Sequence, residues 1–399
     1  MKTLEDAQAT ILAVVPRCSV EIVALGAAGG RYAAQAVVSP LDLPGFDASA
    51  MDGYAVRAAD TQGAAPDAPR RLRVVGRVAA GGSAAAFVGG GEAVRIFTGA
   101  PLPSGADAVV MQEDARDEGD GVVAVLDAAR PWENVRLAGE DIRAGAELVG
   151  AGEWLGAGRL GALAAAGLAT VKVSVRPRVT ILATGDELLP PGQPAGPGGV
   201  YESNRVMLAA LLRAAGAEVT LGPIIPDEPA ATRTALAEAL AAADVVVTSG
   251  GVSVGEADHV RDAFTAAGGA LEFWRVAVKP GKPFAWGRCG DAVWFGLPGN
   301  PVSAAVTAVL LVMPALRGMQ GAREPRGTRW TGVLGERLVN SGDRRHYLRI
   351  RRGADGCWVS AGMQASHGLA ALAAAEGLVD VPPGAAIEAG RQMEIIPLP

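Results

Sequence analysis

Residues 178–188 read RVTILATGDEL and residues 244–251 read DVVVTSGG; in both, an apolar run of strand type ends in a polar turn with glycine. Two segments lie between these stretches, residues 202–216 and 228–243. Both carry apolar residues at the spacing of amphipathic helices. Strands that alternate with helices of this length are typical of parallel βαβ units. The pattern therefore predicts a doubly wound α/β sheet over residues 177–323.

The rest of the chain is different in pattern. Residues 3–15 and 18–27 are apolar at helical spacing, which predicts two helices. Residues 70–130 contain short β-type runs separated by Gly and Pro, and the chain then returns to helix and strand. We therefore expect a multidomain α/β protein of four domains: a mixed, discontinuous N-terminal domain (1–28 and 140–176), a linker with an inserted β domain (29–139), the α/β domain (177–323) and a small C-terminal β domain (324–399).

Composition excludes several classes of protein. Half of the 399 residues are hydrophobic, so the chain can bury large cores, and a net charge of −6 disfavours binding to nucleic acid. The three cysteines are scattered and odd in number, which is typical of a reducing compartment. The longest apolar stretch, 302–316, contains Ser, Thr and Pro and is shorter than a bilayer span. The sequence thus predicts a cytoplasmic protein with no membrane or nucleic-acid partner.

Polar turns at the predicted strand ends suit an anion and a divalent cation. Gly250 and Gly251 allow the backbone to approach an anion, and Asn300-Pro301 is typical of a helix start with exposed N–H groups. The chain has only four lysines, and two of them, Lys279 and Lys282, are three residues apart. Taken together these features predict a phosphate-plus-magnesium site, although each alone is also typical of an ordinary turn or cap. The carboxylates suited to Mg²⁺ are Asp186, Glu187, Asp227 and Asp258.

A second group of polar residues lies outside the α/β domain. Asp52 and Thr98 stand beside glycines, and Arg136 and Asp141 belong to the run NVRLAGEDI. They are either functional or turns that hold the inserted domain. Motifs of other site classes are missing: there is no P-loop, no dinucleotide fingerprint, no nucleophile elbow and no paired Cys/His pattern for zinc.

Seven motifs in order resemble one family. They are SAMDGYAVR, RIFTGAPLPSGADAVVMQED, ENVRLAGEDI, ATGDEL, TSGGVSVGEADHV, KPGKPFAWG and GLPGNPVSA, spread over residues 49–303. They are similar to the MoeA family of molybdopterin molybdenumtransferases, to which the E domains of gephyrin-type proteins also belong. The resemblance implies a MogA-like α/β domain, an elongated N-terminal domain and a homodimer whose cleft lies between the α/β domain of one subunit and the inserted β domain of the other.

The resemblance also implies a reaction and site residues. Adenylylated molybdopterin and molybdate are the implied substrates, molybdenum cofactor and AMP the products, and Mg²⁺ the cofactor. Lys279 and Lys282 with Ser303 would hold molybdate, and the carboxylates would place Mg²⁺ and the adenylyl phosphate. The implied catalytic residues are Asp52, Thr98, Arg136, Asp141, Glu187, Asp227, Asp258, Lys279 and Lys282. The implied substrate-binding residues are Asn204, Gly250, Gly251, Ser253, Pro298, Gly299, Asn300, Pro301, Ser303, Arg344 and Arg349.

Some features depart from the family pattern or leave alternatives open. The run Arg344-Arg-His346-Tyr-Leu-Arg349 has His where the family commonly has an acid, and the segment Gln364 to His367 resembles a family segment without an assigned chemical step. The implied partners are a second copy of the chain, a MogA-like adenylyltransferase and molybdoenzyme acceptors. The alternative functions are a molybdopterin adenylyltransferase, a non-catalytic gephyrin-like scaffold, and a sugar-nucleotide or nicotinamide-nucleotide enzyme on the same fold.

Overall fold

The computed structural model describes residues 1–82, 86–252 and 259–399. A six-stranded sheet forms the α/β domain, as the alternating pattern predicts. Its first four strands in spatial order are parallel, the fifth is antiparallel to them, and the sixth pairs antiparallel with the fifth and so runs in the same direction as the first four. Apolar side chains fill both faces, because helices cover the sheet on both sides. The strands in spatial order are Glu218–Ile225, Arg178–Thr184, Val245–Ser249, Ala292–Leu297, Ala285–Cys289 and Ala270–Trp274, and the helices are Asn204–Ala214, Pro229–Ala242 and Val260–Ala266.

One long helix, Pro301–Met319, packs between the sheet and the N-terminal helix Leu4–Val14. It is α-helical over Pro301–Thr307 and Met313–Met319 and π-helical over Ala308–Val312. Among the described residues it is the one helix long and apolar enough to cross a bilayer, and nearly all of it is buried within the protein. Such burial is expected of a core helix.

A buried side chain compensates for a proline in this helix. Pro314 has no N–H to donate to the carbonyl of Leu310, four residues earlier. The side-chain amide of Gln8, itself 5% exposed, donates to that carbonyl at 2.8 Å. We expect Gln8→Leu to lower the free energy of unfolding by about 1–3 kcal/mol, since the carbonyl of Leu310 would lose this donor in an apolar core. Urea denaturation measures the change; a variant as stable as the wild type would contradict this role.

The inserted β domain is built on its own six-stranded sheet with two apolar clusters. Residues within 70–130 supply most of it, as the sequence predicts, but one central strand, Gly53–Val56, comes from the preceding loop. In spatial order the strands are Ala108–Met111, Gly53–Val56, Glu92–Ile96, Arg70–Val78, Val122–Val125 and Ala115–Gly119.

The prediction of a helix over 18–27 is wrong. Residues Val20–Ala24 form a strand that pairs antiparallel with Thr170–Ser174, and only Leu25–Ala27 is a short 3₁₀ turn. Val and Ile favour strands when a partner strand is available, and here the partner lies about 150 residues further along the chain. The helix Ala157–Ala165 and the paired strands Val37–Val38 and Glu147–Val149 complete the N-terminal domain.

The C-terminal domain is a β domain, as predicted. Its sheet takes one extra edge strand from the α/β domain, because Val278–Lys279 pairs parallel with the start of Arg345–Arg352. This pairing places a predicted lysine beside the predicted arginines. The other strands of the domain are Trp330–Val333, Leu338–Val339, Trp358–Ser360, Gly377–Val381, Ala386–Ile387 and Gln392–Pro397, and its one described helix is Leu369–Ala373. Shorter elements elsewhere are Ala48–Ser49, Ala58–Thr61, Gln112–Asp114, Val135–Arg136, Leu188–Leu189 and Val200–Tyr201.

Candidate functional site

Two adjoining cavities of about 600 and 300 Å³ lie at the carboxyl ends of the parallel strands. This edge is where doubly wound sheets bind ligands. Both cavities are bordered by the turn after Arg178–Thr184 and by the turn before the core helix. The residues shared by both linings are Thr184, Glu187, Gly299 and Asn300.

The glycine turn after the strand Val245–Ser249 lines the smaller cavity. Gly250 and Gly251 have φ angles of +96° and +67°, which favour glycine. A Cβ on Gly251 would lie 2.3 Å from Val260 Cγ2, so any side chain there would clash. The backbone therefore borders the cavity directly, as the sequence predicts. Ser253 and Asp258, which were predicted to continue this site, lie outside the described residues.

The asparagines at the cleft have different roles. Asn204 is buried, and its amide donates to Ser249 Oγ at 2.8 Å and to the carbonyl of Gly299 at 2.6 Å, so it holds the two turns together. Asn300 occupies the N-cap position before Pro301, but its side chain makes no capping hydrogen bond. It borders both cavities together with Gly299, and Pro298 borders the smaller one.

The predicted carboxylates do not all face the same space. Glu187 lines both cavities and Asp227 lines the smaller one. Asp186 Oδ1 instead accepts a hydrogen bond from the backbone N–H of Asp227 at 3.0 Å, and Asp186 borders a separate shallow cavity with Arg205. Within the described part of the chain, no group of three or more His, Cys, Asp or Glu side chains could hold a metal ion. Any cation would have to combine one or two carboxylates with ligand oxygens.

The lysine loop, residues 275–284, lies beside this cleft. Lys279 is half-buried, and Lys282 is exposed. Gly281 packs so closely on the core helix that a Cβ would lie 2.4 Å from Thr307 Cγ2. Neither lysine lines the two cavities, whereas Pro283 lines the smaller one. The cleft and the lysine loop are therefore neighbours rather than one open pocket.

A cationic cluster lies where the C-terminal domain meets the lysine loop. Arg349 is fully buried: its Nη2 donates to the carbonyl of Met363 at 2.6 Å, but Nε and Nη1 find no partner in the ranges that the structure describes. Arg344 Nη1 donates to the carbonyl of Val278 at 3.1 Å, next to Lys279. A buried, incompletely bonded guanidinium is costly unless an anion binds it, so this cluster suits an oxyanion.

The pKa of His346 reflects the positive charge of this cluster. Burial and, to a smaller extent, the nearby charges of Lys279, Arg349 and Arg344 together lower the pKa of His346 to about 4. Its ring is 6% exposed, and among described residues no group bonds Nε2. His346 is therefore neutral at physiological pH and adds no charge to the cluster.

This pKa gives a pH dependence of stability. Between pH 6.5 and about 4 the unfolded chain binds a proton at His346 that the native protein does not. The free energy of unfolding should therefore fall as pH falls through this window, by up to about 3 kcal/mol from this group. We expect His346→Gln to remove that part of the slope, measured by urea denaturation at pH 4.5 and 7. The same slope in both proteins would contradict the burial of a neutral imidazole.

Two of the second group of predicted residues, Asp52 and Thr98, pair within the inserted domain. Asp52 Oδ1 accepts hydrogen bonds from the backbone N–H and from the hydroxyl of Thr98, both at 2.8 Å. These bonds hold the pKa of Asp52 below its ordinary value. Arg136 lies on the short strand Val135–Arg136, and Asp141 is exposed nearby in sequence. None of the four residues lines the cavities of the α/β domain in the same chain.

Sequence reasoning missed several residues of the cleft. Tyr201 and Glu202 line the larger cavity, and so do His367 and Leu369 of the C-terminal domain. Only the likeness of residues 364–367 to a family segment pointed to this region. Ser303 is buried at the start of the core helix, and the neighbouring N–H of Val302 donates to the carbonyl of Ser366 at 3.1 Å. This contact joins the C-terminal domain to the cleft.

Comparison with known proteins gives a consistent result. Family profiles match the regions described as MoeA N-terminal region (domain I and II) at residues 2–167, probable molybdopterin binding domain at 180–318, and MoeA C-terminal region (domain IV) at 331–398. Molybdopterin molybdenumtransferase 2 of Mycobacterium tuberculosis is 40% identical and covers 99% of both chains. The Haemophilus influenzae molybdopterin molybdenumtransferase is 40% identical over 81% of this chain and 79% of its own length. A Pyrococcus horikoshii molybdopterin biosynthesis protein superposes over both full chains with a TM-score of 0.84 at 29% identity.

Proposed function

Because the chain belongs to the MoeA family of molybdopterin molybdenumtransferases, and is thus a transferase of molybdenum cofactor biosynthesis, we propose that it inserts molybdenum from molybdate into adenylylated molybdopterin and releases AMP. The observation that carries this proposal is the buried guanidinium of Arg349. Two of its nitrogens lack partners in the described part of the protein, and its charge acts on His346 together with those of Lys279 and Arg344. Molybdate is a small dianion with four oxygens, and it would supply the missing acceptors.

The cleft next to this cluster suits the other substrate. Gly250 and Gly251 present backbone to the smaller cavity, which fits a phosphate group. The larger cavity has room for a planar ring system beside Tyr201. In this proposal Asn204 keeps the glycine turn and the Gly299 turn at a fixed distance, so that both can contact one ligand. The chain supplies no cysteine to the site, and the dithiolene sulfurs that receive the metal belong to the substrate.

Magnesium fits the residues present in a limited way. Glu187 and Asp227 face the same cavity, and Mg²⁺ is commonly held by one or two carboxylates, water and substrate phosphate. When bound there, it would neutralise phosphate charge and make AMP a better leaving group. Asp186 would act indirectly, through its bond to the backbone of Asp227. Asp258 stays a predicted ligand.

A homodimer would explain the cluster around Asp52. Asp52 and Thr98 pair within the inserted domain, and none of the four predicted residues of this group borders the cleft of its own chain. The proposal therefore places Asp52, Thr98, Arg136 and Asp141 at the cleft of the partner subunit. We also propose a cytoplasmic location, which suits three free thiols, with a MogA-like adenylyltransferase as the source of substrate and molybdoenzymes as acceptors.

The direct test supplies adenylylated molybdopterin, molybdate and Mg²⁺ to the purified protein and follows AMP release and cofactor formation. The proposal expects AMP release that depends on molybdate, and its loss in Lys279→Ala at unchanged thermal stability. Formation of adenylylated molybdopterin from ATP and molybdopterin without molybdate would instead identify an adenylyltransferase. No reaction with either substrate pair would refute both enzymatic functions and favour a scaffold.

A further inference from the structure

Trp274 stands at the base of the lysine loop. It is the last residue of the strand Ala270–Trp274, and the loop begins at the next residue. The base is closed by two backbone bonds, from Arg275 N–H to the carbonyl of Phe284 at 2.7 Å and from Val276 N–H to the carbonyl of Lys282 at 3.3 Å. Whatever holds Trp274 therefore also holds the start of the loop.

The side chain of Trp274 reaches the glycine turn. Its indole N–H donates to the carbonyl of Val252 at 3.1 Å, and Val252 directly follows Gly250 and Gly251. Trp274 also packs against the apolar cluster that contains Val252. The indole N–H therefore links the lysine loop directly to the glycine turn. The sequence predicts anion binding at both of these loops.

Two guanidinium groups fix the ring of Trp274. The Cζ atom of Arg275 lies 3.7 Å from the ring centroid, and that of Arg261, on the helix Val260–Ala266, lies 4.1 Å away. Both distances are within the range of cation–π attraction. Arg275 has a φ of +73°, which is uncommon for a residue with a side chain, and its carbonyl accepts from the N–H of Lys2 at 3.1 Å. Several independent contacts therefore hold the base of the loop in one conformation.

We infer that Trp274 is a positioning residue that sets the separation between the glycine turn and the two lysines. The inference rests on the proposed function, in which the turn contacts the adenylyl phosphate and the lysines contact molybdate. Each ligand needs only its own loop to bind, but the reaction needs both ligands at the correct distance. An error of about 1 Å in such a distance is enough to slow a reaction strongly.

The test replaces Trp274 by Phe, which keeps an aromatic ring for both guanidinium groups but removes the donor to Val252. Trp330→Phe is the matched control, because Trp330 is 42% exposed in the C-terminal domain, where its ring lies 6.1 Å from that of Trp358. For Trp274→Phe we expect the separate dissociation constants for molybdate and for AMP to stay within about twofold of the wild type, while turnover falls about tenfold. Hydrogen exchange of the amides in residues 276–284 should be faster than in the control.

The outcomes separate the inference from the proposed function. Turnover of Trp274→Phe equal to that of Trp330→Phe would overturn the inference. Loss of both single-ligand affinities in proportion to turnover would also overturn it, because that result indicates a general structural role. A wild-type protein without turnover would refute the proposed function. In that case the exchange measurement still tests the coupling, and unchanged exchange in residues 276–284 would refute it.

Discussion

Replacing Arg349 by Met is expected to lower the rate of molybdate-dependent AMP release at least ~100-fold, while the protein stays folded. The guanidinium is fully buried and, in the part of the chain that the structure describes, Nε and Nη1 have no partner. In the proposed function these two donors bind molybdate, so the variant loses them completely. Because burying an incompletely bonded charge is unfavourable, we expect the free energy of unfolding to rise by about 1 kcal/mol rather than fall.

Activity and stability should therefore change in opposite directions in this variant. Steady-state AMP release measures the activity, equilibrium dialysis measures molybdate binding, and urea denaturation measures the free energy of unfolding. Arg351→Met is the control, since Arg351 lies on the same strand but is exposed. If Arg349→Met unfolds more easily than the control, the guanidinium has a structural role, and if it still binds molybdate, the oxyanion does not occupy this cluster.

Mixed dimers of two inactive variants are expected to regain activity. Asp52→Asn and Lys279→Ala change residues that lie in different domains, and the inserted domain does not border the cleft of its own chain. If each site combines the inserted domain of one subunit with the α/β domain of the other, a mixed dimer contains one intact site and one site with both changes. Random mixing should then give about a quarter of wild-type activity.

The control pair for this experiment is Lys279→Ala with Arg349→Met. Both residues belong to the same cationic cluster, so one chain supplies both and no mixed dimer restores an intact site. Each single variant must first be shown to be inactive. Subunit exchange between wild-type and variant chains must also be shown. If exchange occurs but the mixed Asp52 and Lys279 variants regain no activity, the proposal of a site shared between subunits is wrong.

Local sequence patterns were sufficient for the central architecture. The alternation of buried strands and amphipathic helices predicted the α/β sheet, and the positive φ angles of Gly250 and Gly251 agree with the turn that the sequence predicts there. These features depend on residues a few positions apart, within reach of rules for spacing and turns. The ordered motifs identified the family for the same reason, since each motif is a short continuous segment.

The same rules failed at Val20–Ala24 because a strand depends on its partner. Five residues rich in Val and Ile fit a helix or a strand locally, and pairing with Thr170–Ser174 determines the outcome. The edge strand Val278–Lys279 is a similar case, since its partner belongs to another domain. Neither pairing could be inferred from residues near it.

The residue types, the order of the motifs and the α/β pattern can be inferred from the sequence alone, because each depends on residues that are close together along the chain. Folding in space adds the separation of the Asp52–Thr98 pair from the cleft and the complete burial of Arg349. It also brings Lys279, Arg344 and Arg349 around His346. The charge cluster, for example, depends on a contact between Arg344 and Val278, which are 66 residues apart in the chain. The free energy of such contacts comes from burial and charge in the packed protein, which no local pattern records.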